Sequence, residues 1–177
     1  MPTSIISIRM ATEEDLPEIL TIYNDIILHT TAVYDYKPHT MDMRKSWFAS
    51  KQKDGYPVFV AEKEKAIIGF SSIGPFRAWA AYKYSIENSV YVATDHRGKG
   101  TGKLLIPPLL HAAREKNLHA VIASIDADNA ASIRLHQSFG FEEVAHFRQV
   151  GFKFGKWLDL KFFELILDTP EHPQADG

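Results

Sequence analysis

Two kinds of hydrophobic pattern follow one another along the chain. Apolar runs of strand length, some alternating with polar residues, predict strands at residues 5–9, 57–62, 66–73, 85–92, 120–125, 141–150 and 157–167. Apolar residues at helical spacing predict helices at residues 12–27, 40–51, 103–116 and 130–139. Strands and helices in this order predict a mixed α/β sheet covered by helices.

Residues at the predicted helix ends support these boundaries. Thr12 is a suitable N-cap, and Asp15 follows three residues later, which approximates a capping box. Gly140 after the last predicted helix is a suitable C-terminal cap. Pro107 and Pro108 fall inside the third predicted helix, where a proline pair is tolerated only in the first turns or with a kink.

Composition narrows the class of protein. The 177 residues suit one domain, predicted over residues 1–168, and the polar, proline-containing residues 169–177 predict a flexible tail. A net charge of -2 argues against a nucleic-acid binder, and without cysteine there is no disulfide, thiolate metal site or cysteine nucleophile. No apolar run approaches the roughly 20 residues of a membrane helix. Residues 1–10 lack the pattern of a signal peptide, so a cytoplasmic location is expected.

A glycine-rich turn carries the most informative chemistry. The predicted strand at 85–92 runs into residues 97–103, Arg-Gly-Lys-Gly-Thr-Gly-Lys, and a helix is predicted to follow. Glycines allow positive φ angles and a close approach of the backbone to a ligand. Free N–H groups at a helix N-terminus bind phosphate, and the three cations of the turn strengthen such a site.

Three phosphate-binding patterns can be compared with this turn. A P-loop would need glycine at position 97 and Ser or Thr at 104, where the chain has Arg97 and Leu104. A dinucleotide fingerprint would need Gly or Ala at position 103, where Lys103 stands. The pattern Arg/Gln-x-x-Gly-x-Gly/Ala fits at Arg97, Gly100 and Gly102. The alternative is a tight basic turn without a ligand.

The third pattern resembles the GCN5-related N-acetyltransferase (GNAT) family, in which it holds the pyrophosphate of coenzyme A. Residues 129–136 and 140–141 resemble the second coenzyme A segment of that family. Residues 22–24, 30–31, 47–48, 74–77, 85–92 and 153–160 resemble one branch, the phosphinothricin and methionine sulfoximine N-acetyltransferases. The resemblance implies a mostly antiparallel sheet with splayed middle strands, flanked by helices, and a homodimer.

The resemblance also implies which residues contact acetyl-CoA. In the family the amides of the residues matching Val90 and Val92 hold pantetheine and help to polarise the thioester carbonyl, an oxyanion-hole role. Asn129 resembles a side-chain contact to the cofactor, and its alternative role is to cap a helix. The expected cofactor-binding residues are Val90, Tyr91, Val92, Arg97, Gly98, Lys99, Gly100, Thr101, Gly102, Lys103, Asn129 and Ser138.

Acetyl transfer to an amine needs a base, because an α-amine is largely protonated at neutral pH. Glu87 is the expected catalytic base, acting directly or through one water; otherwise it is a surface strand residue. His136 is the second expected catalytic residue. Relatives often have Tyr at the matching position, where it is thought to protonate the departing thiolate, and His can donate too. The alternative is that His136 is structural.

A substrate that is an amino acid should be selected by cations. Arg77 is expected to bind the carboxylate, and Lys83 stands where relatives often carry Arg. The aromatic residues nearby either line the pocket or pack in the core or a dimer interface. The expected substrate-binding residues are Tyr34, Phe76, Arg77, Lys83, Ser85, Ile86 and Glu87.

The sequence therefore predicts transfer of acetyl from acetyl-CoA to the α-amine of a small acceptor of the phosphinothricin, methionine sulfoximine or methionine sulfone type. No metal is expected, because the histidines have no ligand spacing. Expected partners are a small amine and a second copy of the chain, with neither nucleic acid nor membrane. Alternatives are an acetyltransferase for another amine, a non-catalytic coenzyme A-binding regulatory module, and an ATP-binding protein.

Overall fold

The computed structural model describes residues 5–175, and the predicted alternation of strands and helices is confirmed there. The strands are β1 (Ser7–Met10), β2 (Val58–Lys63), β3 (Ala66–Pro75), β4 (Ser85–Val92), β5 (Ala120–Asp126), β6 (Glu142–Lys153) and β7 (Lys156–Ile166). The helices are α1 (Leu16–His29), α2 (Met41–Lys53), α3 (Thr101–Glu115) and α4 (Ala130–Gln137). The strand order is β1-β2-β3-β4-β5-β7-β6.

Pairing within the sheet is mixed and mostly antiparallel, as predicted. β1 with β2, β2 with β3, β5 with β7 and β6 with β7 are antiparallel, whereas β4 and β5 are parallel. The parallel pair runs from Ser85 opposite Ala120 to Glu87 opposite Ile122. The described chain forms two compact units: residues 5–72 with Ser89–Pro108, and Ile73–Asn88 with residues 109–175.

The core of the first unit forms where α1 presents one face to strand side chains. Apolar positions at helical spacing supply that face. Arg9 bridges β1 to the start of the helix through Asp15, at 2.8 Å, and thereby lowers the pKa of that carboxyl. The buried cluster consists of Leu16, Ile19, Ile22, Ile26, Phe48, Val58, Val60, Ile67 and Phe70.

The predicted capping box is confirmed, since the Asp15 carboxylate accepts from the Thr12 amide at 2.7 Å; residues 13–15 form a 3-10 turn that leads into α1 at Leu16. The predicted start of the third helix is wrong by two residues. α3 begins at Thr101 rather than 103 and continues through Pro107 and Pro108. Glycine at position 102 was interpreted as part of the turn, but it lies in the first turn of the helix.

The second unit is built on β5 and the long β6–β7 hairpin. Val121 of β5 and Phe163 of β7 are fully buried. After α4, Gly140 has a φ of 88°, which suits the predicted cap. The chain beyond β7 keeps contacts within this unit, since the Thr169 hydroxyl donates to the Leu118 carbonyl at 2.6 Å. No helix among the described residues is long and apolar enough to cross a membrane.

Candidate active site

The glycine turn of the first unit leaves its backbone open to a ligand. Gly98 and Gly100 have φ angles of 70° and 87°, as predicted for glycines in a phosphate-binding turn. A Cβ atom built at either position would meet nothing within 4 Å. The two glycines are therefore required by backbone conformation rather than by crowding, and the space beside them is accessible.

Most amides of this turn have no backbone acceptor. The Lys103 amide donates to the Gly100 carbonyl at 3.0 Å. Within residues 5–175, no backbone carbonyl accepts from the amides of residues 98–102. A run of unpaired N–H groups at the start of α3 is the arrangement that binds phosphate.

Side chains brace the turn from within. Arg97 Nε donates to the Val92 carbonyl at 3.0 Å, and Lys99 Nζ donates to the Asp95 carbonyl at 2.7 Å. Thr101 is buried, and its hydroxyl donates to the His96 carbonyl at 3.4 Å. Arg97 and Lys99 are thus held against the backbone beside the turn, where they add positive potential.

Alternation along β4 separates the predicted cofactor residues onto two faces. Val90 and Val92 pack against the cluster that contains Ile68 and Leu105. The Tyr91 ring points the other way and lies 5.2 Å from the ring of Phe70. The side chains of Val90 and Val92 therefore have a structural role, and only the backbone of these two residues is available to a ligand.

Glu87 of the second unit is held in place by a neighbouring strand. It is half-buried in β4, and its carboxylate accepts a short hydrogen bond from the hydroxyl of Ser124 in β5. This contact distinguishes Glu87 from an ordinary surface residue. Ser124 was missed by sequence analysis, because only the register of β4 against β5 places the two residues together.

His136 is buried and both of its ring nitrogens are engaged. The side chain is 4% exposed, and Nδ1 lies 2.8 Å from the Ser132 carbonyl, which makes Nδ1 the donor. Nε2 is then the acceptor for the Asn88 amide nitrogen at 3.0 Å. Burial lowers the pKa of His136, and the bond to Ser132 opposes this only in part. The ring is neutral in this arrangement, and Asn88 Oδ1 has no partner among the described residues.

The two remaining predicted cofactor residues have local hydrogen bonds. Asn129 caps α4, because its side-chain oxygen accepts from the Ser132 amide at 3.1 Å. Its backbone amide donates to the Asp126 carbonyl at 2.9 Å and its carbonyl accepts from the Ile133 amide at 3.1 Å, so a ligand contact would have to use the rest of its side chain. Ser138 is exposed, and its hydroxyl donates to the Leu135 carbonyl at 2.7 Å.

The predicted substrate residues differ widely in accessibility. Arg77 is exposed with its guanidinium 4.9 Å from the Phe76 ring centroid, and Lys83 Nζ lies 5.0 Å from that of Tyr84. The Phe76 amide donates to the Ser85 carbonyl at 3.2 Å, which ties this segment to the start of β4. Tyr34 and Ser85 are half-buried. Ile86 is fully buried, so only its backbone is available to a substrate.

A cavity of about 170 Å³ in the first unit was not predicted from the sequence. Its most unusual member is Arg44 of α2, which is only 2% exposed and was overlooked because a cation in a polar helix is usually solvated. The cavity is lined by Tyr23, His39, Met43, Arg44, Trp47, Phe70, Ser72, Ser89 and Tyr91. In the part of the chain that the structure describes, no group of three or more histidine, aspartate or glutamate residues is placed to hold a metal ion.

Comparison with known proteins identifies the class. Residues 8–161 match the acetyltransferase (GNAT) domain, and the chain belongs to that family. The protein is therefore an acetyltransferase, and the resemblance inferred from its glycine turn is confirmed. The anion site at the start of α3 is consistent with this assignment.

Individual relatives cover almost the whole chain. The L-methionine sulfoximine/L-methionine sulfone acetyltransferase of Salmonella typhimurium is 43% identical over 96% of this chain and 99% of its own. A phosphinothricin N-acetyltransferase of Streptomyces coelicolor is 38% identical over 92% of this chain and 96% of its own. The structure of a Salmonella typhimurium acetyltransferase with its cofactor acetyl-CoA superposes with a TM-score of 0.93, at 42% identity over 97% and 99% of the two chains.

Proposed function

We propose that this enzyme transfers the acetyl group of acetyl-CoA to the α-amine of a small amino-acid-like acceptor of the methionine sulfoximine, methionine sulfone or phosphinothricin type. The names of the two relatives support the acceptor class. The observation that carries the mechanism is the hydrogen bond from the Ser124 hydroxyl to the Glu87 carboxylate. Glu87 lies on β4, the strand that leads into the open turn. A cytoplasmic location is part of this proposal, because the reaction consumes acetyl-CoA.

The open turn fits coenzyme A. The amides of residues 98–102 would receive the diphosphate, with Arg97 and Lys99 adding positive charge. The β4 backbone at Val90 and Val92 would receive the pantetheine, and Asn129 and Ser138 would contact the cofactor near α4. When bound, acetyl-CoA supplies an acyl group already activated as a thioester.

Glu87 is proposed to remove the proton from the acceptor's ammonium group. α-Amines have a pKa near 8, so most of the acceptor is charged at neutral pH and cannot attack. The hydroxyl of Ser124 fixes one carboxylate oxygen and leaves the rest of the carboxylate able to accept the amine proton, directly or through one water. Protonated Glu87 then returns the proton to solvent.

His136 is proposed to position Asn88 rather than to act as the acid. A general acid needs a proton on the nitrogen that faces the leaving group, whereas Nε2 of His136 is occupied as the acceptor for Asn88. Its lowered pKa also disfavours the charged form that would carry a second proton. The thiolate is then protonated by water or by another group.

The acceptor is proposed to lie near the predicted substrate residues. Arg77 would pair with the α-carboxylate, and Lys83 would add positive charge nearby. Phe76 and Tyr34 offer aromatic faces, while Ser85 and Ile86 contribute backbone atoms.

The proposed homodimer rests on an apolar surface of the β6–β7 hairpin. Large apolar side chains remain exposed on this surface, although burying apolar groups is energetically favourable. A second copy of the chain is the proposed partner for this surface. The exposed side chains are Val144, Phe147, Val150, Phe152, Phe154 and Trp157.

The function can be tested by following thiol release from acetyl-CoA with a panel of amines. Methionine sulfone, methionine sulfoximine and phosphinothricin should be turned over with a kcat/KM at least tenfold above that of spermidine or an aminoglycoside. Product mass should increase by one acetyl group on the α-nitrogen. Turnover of polyamines but not of amino acids would contradict the acceptor class, and coenzyme A binding without any turnover would favour a regulatory module.

A further inference from the structure

The cavity of the first unit contains a buried cation with an unpaired donor. The Arg44 guanidinium carbon lies 4.2 Å from the ring centroid of Tyr23 and 4.6 Å from that of Trp47. These faces hold the guanidinium flat and supply cation–π attraction. Arg44 Nε has no hydrogen-bond partner among the described residues.

No carboxylate of the described residues is paired with this cation. Burial lowers the pKa of the Arg44 guanidinium, and Tyr23 and Tyr91 oppose this only in part. The nearest ring nitrogen, Nδ1 of His39, lies 3.4 Å from Arg44 and is directed by the bond from Nε2 to Asp35 at 3.0 Å. A buried cation without a carboxylate partner is costly, so an incoming group with oxygen atoms that reaches the unpaired Nε would be favoured.

The other walls of the cavity suit an amino-acid side chain. Met43, Trp47 and Phe70 are apolar, whereas Ser72 and Ser89 bring hydroxyl groups. About 170 Å³ is room for roughly five or six waters at liquid density, or for a short side chain. An apolar stem with oxygen atoms at its end matches these walls.

We propose that the Arg44 cavity receives the side chain of the acceptor and that the Arg44 guanidinium binds the oxygen atoms at the end of that side chain. This inference rests on the proposed function and deepens it, because it assigns selectivity for sulfone, sulfoximine or phosphinate groups to one residue. Arg77 then serves the α-carboxylate, which every amino acid shares, and Arg44 serves the part in which amino acids differ.

The test compares two acceptors that differ in side-chain oxygen atoms, L-methionine sulfone and L-norleucine. The wild-type enzyme should prefer the sulfone in kcat/KM, and Arg44→Met should reduce this preference by roughly 10- to 100-fold, the range expected for hydrogen bonds to a charged group. Arg77→Met is the matched control and should weaken both acceptors to the same extent. Coenzyme A affinity should be unchanged in Arg44→Met.

Calorimetric titration of the same two amino acids separates this inference from the proposed function. If wild-type protein binds the sulfone more tightly than norleucine and Arg44→Met does not, the inference holds even without turnover. Equal binding of both acceptors by wild type, or a preference retained in Arg44→Met, overturns it even if acetyl transfer is observed. Should Arg44→Met fail to fold, Arg44→Gln and Arg44→Lys take its place, with a reduced preference expected for each.

Discussion

At the scale of single residues, the proposed site depends on which polar groups are held in place. Ser124 holds Glu87, and Ser132 determines the tautomer of His136. Both contacts join a chemically active group to a neighbour that has no catalytic chemistry of its own. These contacts are the basis of the proposal that Glu87 is the base and that His136 is a neutral member of a structural network.

His136 provides a pH-dependent test of that network. Because burial lowers its pKa from 6.5, the unfolded chain binds a proton before the folded one does. The contribution of His136 to the free energy of unfolding should therefore be fully present above about pH 6.5. Below that pH the free energy of unfolding should decrease, by at most about 1.4 kcal/mol per pH unit from this group. Urea unfolding between pH 5 and 7.5 should give a shallower pH dependence for His136→Gln than for wild type.

Turnover gives the second part of the histidine test. If His136 only positions Asn88, then His136→Gln should keep both limbs of the pH profile of kcat while changing kcat by less than about tenfold. Loss of the alkaline limb in that variant would show that His136 donates the proton, in agreement with the alternative inferred from the family resemblance.

At the scale of elements, the start of α3 is the decisive feature. Gly100 holds a φ of 87° that an L-residue with a Cβ adopts only with strain, of about 1–2 kcal/mol. The strain at this position arises without any clash, because the surrounding space is open. A change at this glycine therefore acts on the backbone and on the direction of the amides.

Gly100→Ala should weaken coenzyme A binding by roughly tenfold, because the amides of residues 98–102 would lose their alignment. Isothermal titration calorimetry with coenzyme A is the measurement. Gly155→Ala is the matched control, since Gly155 has a φ of 75°, equally open surroundings, and a place in the β6–β7 turn. The same loss of affinity in both variants would mean that general destabilisation, rather than the anion site, is responsible.

At the scale of the whole molecule, the β6–β7 surface predicts the oligomeric state. Trp157 is 61% exposed, and its ring lies 5.2 Å from that of Phe152. Trp157→Glu should convert a dimer into a monomer in sedimentation velocity, because a charge in an apolar interface is costly. Trp79→Glu is the control, since Trp79 is 71% exposed in a different segment. A wild-type protein that sediments as a monomer would contradict the proposed dimer.

Much of this molecule could be predicted from local patterns. The predicted range of β4, residues 85–92, matches the structure, and the glycine turn that follows marks where the strand ends. The predicted start of α3 is too late because Gly102 is a poor helix former by propensity, whereas the structure places it in the first turn of the helix. Long-range register decides the rest: no sequence pattern indicates that Ser124 meets Glu87 or that Arg44 is buried.

The most direct test of the central claim is the acetyl-transfer rate of Glu87→Gln with methionine sulfone. Gln keeps the size of the side chain and its contact with Ser124 but cannot take up the amine proton. The expected result is a kcat about 10²- to 10⁴-fold below wild type, with coenzyme A affinity and melting temperature unchanged. A Glu87→Gln enzyme with a kcat close to wild type would contradict the account of Glu87 as the base.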